Sequence, residues 1–416
     1  LIPFQFNDTQ TYILEFGNRY MRVYKDGGAV EASPGVIYEI VTPFTTAQLF
    51  ELNYTQSADV MTLVHPSHPP KQLSRLDHNN WTLADYNFVP SIAAPTSFTG
   101  TGGGSGSQDS KYVVTAIIDN ESLEESLPST AYTKNNHSVL DPANTIDLSW
   151  AAVAGARYYH IYKDDTLSGV YGFLGRAETT SFRDRGNINP AKTDTPPNAE
   201  NPFSAGNYPG AVGYYQQRLC FAGSDANPQT VWMSKTGAFK NFGYSTPYKD
   251  DDAITFSVAS REVHRFRHLL PLREMLGLTT GGEWEVLGSE TGLTARSVQA
   301  KIQSYNGSSK LPPIVVDNAA LYVQARGSKV SALQYSFEAD GFAGNDLTKY
   351  SPHFFRGHTL VDWAFQQQPD SLVWAARDDG LMLGMTYLPE EQLIAWHQHV
   401  TDGAVESVAC VPEGDE

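Results

Sequence analysis

The chain has little cysteine, little charge and no long apolar run. Its two cysteines, Cys220 and Cys410, among 416 residues cannot build a disulfide framework, so packing must hold the fold. Both lie in apolar strand-like runs, as reduced core cysteines do; a bond between the two is the alternative. No apolar run reaches the roughly 18 residues that a membrane helix needs, and no signal peptide is visible. Leu1 to Phe6 already reads as a strand, and Val411 to Glu416 follow directly on another. Both ends are therefore expected to be cut from a longer polypeptide. Positive charge is scarce too: 29 Lys and Arg stand against 46 Asp and Glu, a formal charge of −17. Gripping a phosphate backbone needs Lys/Arg clusters, so this balance argues against such a grip. It does not argue against letting DNA slide past.

Catalytic signatures are also missing. There is no Gly-x-Ser-x-Gly, no His-Glu-x-x-His and no Cys/His nucleophile pattern. The chain is expected not to be an enzyme, with no catalytic residue, cofactor or metal. Candidates for chemistry have plainer readings. His397 and His399, two apart on a strand, share a face, but two histidines without a nearby carboxylate make a weak metal site; a hydrogen-bonded pair packed beside Trp396 is expected. His65 and His68 are read the same way. Asp250-Asp251-Asp252 lacks the spacing of a calcium loop and reads as a solvated turn before Ile254. Gly102 to Gly106, without Lys-Ser/Thr or a following helix, is no phosphate loop and reads as a flexible hinge. Glu283 with Glu285, or Asp378 with Asp379, could be glycosidase carboxylates only if a cleft held them at the right separation; Asp-Asp-Gly more often makes a turn. Six Asn-x-Ser/Thr sequons, at Asn7, Asn53, Asn80, Asn120, Asn136 and Asn306, are compatible with secretion but read as accidental in so polar a chain.

What the chain has is glycine (34), proline (24) and 12% aromatics, which suits short strands and many turns. Two strands are expected around Gly17-Asn18, another over Gly35 to Thr42, and one short helix over Pro43 to Leu52. From Gly213 onward, apolar strands recur at intervals of roughly 40 to 50 residues, the spacing of propeller blades. The last four, Ser371 to Ala376, Leu381 to Tyr387, Leu393 to His399 and Val405 to Val411, read as one blade. Between these textures lies a unit of about 100 residues with evenly spaced strands, the size of a β-sandwich. In it Ile146, Leu148 and Trp150 share one face, as do Tyr159 and Ile161. It follows the Gly-Ser tract Gly100 to Ser107 and ends in the proline-rich linker Asp194 to Pro202. The fold expected is mainly β: a β-propeller-like platform over 1–90 and 201–416, with an inserted Ig/fibronectin III-like sandwich over 91–200.

Several phrases resemble the tail nozzle, or tail tubular protein B, family of short-tailed bacteriophages and its prophage relatives. They include Ile2-Pro3-Phe4-Gln5-Phe6 and the run from Val64-His65-Pro66 to Ser74-Arg75. Others are Asp250 to Ile254, Leu278 to Trp284, and Trp374 to Gly380 leading to Trp396-His397. The middle unit resembles a fibronectin type III module through Leu148-Ser149-Trp150 and Gly155 to Tyr162. The nozzle resemblance implies a structural protein of the virion tail, made in the bacterial host cytoplasm. It further implies six copies ringed around a DNA-ejection channel below an adaptor, or gatekeeper, ring. DNA would pass without specific binding, and the inserted module could touch the host surface. The alternative is a carbohydrate-binding or glycan-processing propeller at a cell surface.

Overall fold

The computed structural model describes residues 1–412 except 8, 199, 204–205, 290–291 and 338–339. The expected linker over Asp194 to Pro202 and the expected chain end after Val411 each fall partly outside the described residues. Among the described residues six antiparallel sheets, two before a sandwich and four after it, are up-and-down meanders that each serve as one blade. The first holds Ile2–Asn7, Gln10–Gly17, Tyr20–Lys25 and Gly28–Ala29, with Glu39–Val41 added beside its third strand. The second holds Asn53–Ser57, Val60–His65, His68–Asp77 and Asn80–Asp85. After the sandwich come Ala211–Tyr215, Arg218–Ala222, Thr230–Met233 and Ile254–Ser257, then Phe266–Pro271, Met275–Thr279, Glu283–Leu287 and Gln299–Ser304. The fifth blade is Ile314–Val316, Ala319–Val323, Val330–Ser336 and Gly341–Asp346. The sixth is Leu360–Gln366, Leu372–Arg377, Met382–Leu388 and Leu393–His399.

Alternation explains why the second strands of the later blades read as continuous apolar runs. Side chains on a strand point to opposite faces in turn, and here both faces are covered. In Arg218–Ala222, Leu219 and Phe221 pack toward the second blade, while Cys220 and Ala222 pack toward the fourth. In Met275–Thr279, Met275 faces the third blade, and Leu276 and Leu278 face the fifth. In Ala319–Val323, Ala320 and Tyr322 face the fourth, and Leu321 and Val323 face the sixth. Every neighbouring pair from the first blade to the sixth thus shares an apolar core.

The ring closes differently. Val405 to Val411, expected as a strand, forms no ladder, and the fourth strand of the last blade is supplied instead by Leu360–Gln366 at its start. The segment becomes a strap between the sixth and first blades. The Asp362 carboxylate accepts from the Ser407 hydroxyl and from the Val408 N–H at 3.0 Å. Ser407 Oγ also accepts from the Leu1 amine at 2.8 Å, and Thr11 Oγ1 donates to the Pro412 carbonyl at 2.6 Å. Cys410 lies half-buried in this strap and Cys220 is buried in its strand; both are free thiols.

Residues 99–184 form two sheets around one core: Thr99–Gly102, Ile146–Ser149 and Ser181–Asp184 face Tyr132–His137, Gln108–Ile118, Ala156–Asp164 and Gly172–Ala177. Ile146, Leu148, Trp150, Tyr159 and Ile161 all lie in that core. The Gly-Ser tract departs from the expected hinge, because Thr99–Gly102 pairs with Ile146–Ser149 as a strand. Its glycines permit close approach: at Gly102, with φ +84°, a Cβ would stand 2.3 Å from the Thr145 carbonyl oxygen. Two smaller expectations are also corrected. The strand over Gly35 to Thr42 breaks at Tyr38 into Val36–Ile37, which pairs with Glu31–Ser33, and Glu39–Val41, which joins the first blade; between them the Tyr38 N–H donates to the Val30 carbonyl at 2.8 Å. The helix after Pro43 shrinks to a 3₁₀ turn, Thr46–Glu51, where Gln48 Oε1 accepts from the Thr45 N–H at 3.0 Å.

Phe221 is fully buried among Tyr86, Phe88, Phe203 and Phe242. Phe221→Ala is expected to cost about 3–5 kcal/mol of stability. Phe337→Ala, at a side chain 90% exposed, is expected to change it by no more than about 0.5 kcal/mol. Urea unfolding followed by tryptophan fluorescence checks both.

Candidate functional site

The first strands of the second, third and fourth blades converge at a polar hub. Asn53, opening the first strand of the second blade, donates through Nδ2 to the carbonyls of Gly210 at 2.6 Å and Arg267 at 3.2 Å. One amide thereby ties the second blade to the third and fourth. His268, buried on the fourth, lies 3.2 Å from Asn53 Oδ1 through Nδ1 and 3.1 Å from the Ser309 carbonyl through Nε2, which brings in the approach to the fifth. Burial pushes this imidazole down to about 4, so at neutral pH it is uncharged and donates to only one of the two. Beside the hub opens a cavity of about 130 Å³ with Arg265, Arg267, Lys310 and Glu51 in its wall. A larger cleft, about 590 Å³, runs along the strap between the first and sixth blades past Tyr54, Trp363 and Asp362. Burial raises the Asp362 carboxyl above its ordinary range despite its bonds to Ser407 and Val408.

The structure assigns most of the sequence candidates to architecture. His397 and His399 do share a face, with rings 5.0 Å apart, but they pack edge-on or tilted against Trp374 rather than beside Trp396. Alternation sends Trp396 to the opposite face, where its indole N–H donates to the Leu347 carbonyl at 3.0 Å. The expected hydrogen bonding is absent: neither ring has a hydrogen-bond partner among the described residues, and His399 Nε2 is buried without one. Burial, then the neighbouring His399, lowers the His397 imidazole. His65 and His68 pack on Phe44; His65 Nδ1 accepts the Ser67 N–H at 3.0 Å, which leaves the ring proton on Nε2, 3.8 Å from Glu51. Glu283 and Glu285 point between sheet layers, not into a cleft, and burial raises both carboxyls. Asp378 and Asp379 form the turn expected of Asp-Asp-Gly and meet His358, whose Nδ1 is 2.9 Å from Asp378. Arg377 already grips Asp379 through two nitrogens, at 2.8 and 2.6 Å.

The triple aspartate is where the expectation of a solvated turn fails. Asp250 and Asp251 are exposed, but Asp252 is fully buried. Its carboxylate accepts from Lys235 Nζ at 2.7 Å, from the N–H groups of Ser245 and Lys249, both at 2.9 Å, and from Ser245 Oγ at 3.0 Å. Burial opposes ionisation, yet the Lys235 ammonium and these donors together hold the carboxyl below its ordinary value. Arg218, also buried, fixes the same loop by donating to the carbonyls of Ser234 at 2.7 Å, Asp252 at 2.6 Å and Asp250 at 2.9 Å. A second buried set lies in the sandwich, where Asp184 accepts from Lys163 Nζ and the Tyr112 hydroxyl, each at 2.8 Å. Sequence reasoning missed Arg218 and the hub. The one available signal was an arginine heading an otherwise apolar strand, Arg218-Leu219-Cys220-Phe221.

A family model described as bacteriophage nozzle protein matches residues 199–359, the stretch that holds the third, fourth and fifth blades. No curated protein matches the chain. Among solved structures, a protein from Lactobacillus plantarum is similar over 71% of this chain and 84% of its own, at 9% identity and a TM-score of 0.31. The periplasmic gluconolactonase of Pseudomonas aeruginosa aligns over the same shares at 11% identity and a TM-score of 0.32. The computationally designed Ika8 protein aligns over 95% and 88% at 11% identity and a TM-score of 0.35. These likenesses carry no functional argument.

Asp252→Ala strands the Lys235 ammonium and is expected to cost about 3–5 kcal/mol, against little change for Asp250→Ala or Asp251→Ala. Because the Asp252 carboxyl is held below 3.8 in the folded state, its share of stability is full above that value. It drains away as pH falls through the lower folded value. Urea midpoints from pH 7 down to pH 3 check the sign: the gap between parent and Asp252→Asn should narrow as the solution is acidified.

Proposed function

We propose that this chain is a structural protein of a phage tail, acting in the nozzle through which DNA leaves the virion. The match of the nozzle family model to three successive blades carries this reading. The physical features support it. The polar clusters weighed as candidates for chemistry, such as Asp252 with Lys235, brace loops and strands, which suits a mechanical part better than a catalyst. The surplus of carboxylates, −17 per copy, suits a passage that repels a polyanion weakly instead of holding it.

In this reading the propeller, 1–90 with 201–416, is the platform from which identical copies build a ring, six by the family resemblance. An adaptor ring sits above it. The sandwich over 91–200 is an inserted fibronectin III-like module facing outward, available to the host surface. Carboxylates shut inside sheets, as at Glu283, favour the conduit over glycan hydrolysis. The decisive experiment is the mass of the protein by mass photometry with and without its tail adaptor. A ring, alone or on the adaptor, is the expected result; a strict monomer that ignores the adaptor sinks the conduit and directs the search to glycan arrays.

A further inference from the structure

We propose that the cavity beside the hub binds a small tetrahedral oxyanion of the phosphate or sulfate class, held by Arg267 and Arg265 with Lys310 at its edge. The argument starts from charge. Three cations and one carboxylate, Glu51, line this cavity in a protein whose formal charge is −17. Two of the cations have partners: Lys310 meets Glu51, and Arg265 meets Asp225 at 2.6 Å and the Gly223 carbonyl at 3.2 Å. The Arg267 guanidinium forms no hydrogen bond or ion pair with any described residue, although the side chain is half-buried. Burying an unpaired guanidinium is costly, and the neighbouring Arg265 adds repulsion: burial, then that charge, lowers Arg267 below its ordinary value. An anion between the two forks relieves both costs.

Geometry supports the same reading. The Arg267 backbone is fixed, since its carbonyl accepts from Asn53, and the adjoining His268 is anchored to Asn53 and Ser309. The donor is therefore preorganised on a rigid frame, with no loop to order on binding. A planar guanidinium offers paired N–H donors that match two oxygens of a phosphate or sulfate. At about 130 Å³, against the roughly 10–15 Å³ that a single water requires, the space admits such an ion. The acidic surroundings disfavour a long polyanion, which leaves a free oxyanion as the ligand.

Isothermal calorimetry of the whole chain against sodium phosphate, at constant ionic strength in chloride, tests this without any ring assembly. The conduit reading can therefore fail while the site stands. One saturable site per chain is expected, with sulfate competing and acetate at least about tenfold weaker because it lacks the tetrahedral oxygens. Arg267→Gln should weaken phosphate by about tenfold or more, while Arg326→Gln, at an exposed arginine, should match the parent. Glu51→Gln removes the one lining carboxylate and releases Lys310, so it should tighten phosphate binding, a gain that misfolding cannot mimic. Absence of saturable heat, equal affinity in Arg267→Gln and parent, acetate as tight as phosphate, or no tightening in Glu51→Gln would overturn the proposal.

Discussion

Each of the four middle blades is a sheet covered on both faces, and most of the molecule follows from that constraint. A sheet with one wet face can stand alone; one that buries alternate side chains in two different cores cannot leave its neighbours. Phe221 and Cys220 are adjacent in sequence yet belong to different inter-blade cores. Disturbing one blade therefore exposes two interfaces. Cohesion is shared around the ring, which makes a disulfide framework unnecessary and lets both thiols stay free.

A core of this kind leaves little room for unpaired charge, and the charges it contains are spent on loops. Arg218 and Asp252 hold the long connection before Ile254–Ser257, where no strand ladder could. Asp184, Lys163 and Tyr112 do the same inside the sandwich. Removing one member of such a set leaves the others charged and dry, which is why these positions weigh more than their number suggests. Arg267 stands apart as a half-buried cation whose guanidinium has no partner among the described residues.

The mainly β, propeller-like character was legible because strand alternation and turn residues are local signals. Leu393–His399 matches its expected bounds for that reason. Signals failed where distant contacts decide. Val405 to Val411 has the composition of a strand, but the ladder it would join is already full, so it becomes a strap. Gly100 to Ser107 has the composition of a hinge, but strand pairing and close backbone approach claim its glycines. Asp252 cannot be told from Asp250 in the sequence; contacts with Lys235, 17 residues earlier, and with Ser245 and Lys249 separate them. The hub is less legible still, since Asn53 and His268 lie 215 residues apart.

The sandwich is seated on the third blade by more than its connecting chain. Glu124, buried, accepts from Asn241 Nδ2 at 2.8 Å and from the Ser91 N–H at 3.0 Å, and Thr195 bridges to Thr246. Its root is thus clamped at several points to one loop region, the same region that Arg218 and Asp252 brace from within. A body fixed in this way behaves as a lever and not as a tether. A load at its far tip arrives at the third blade as torque, and the neighbouring blades must turn with it or shear against it.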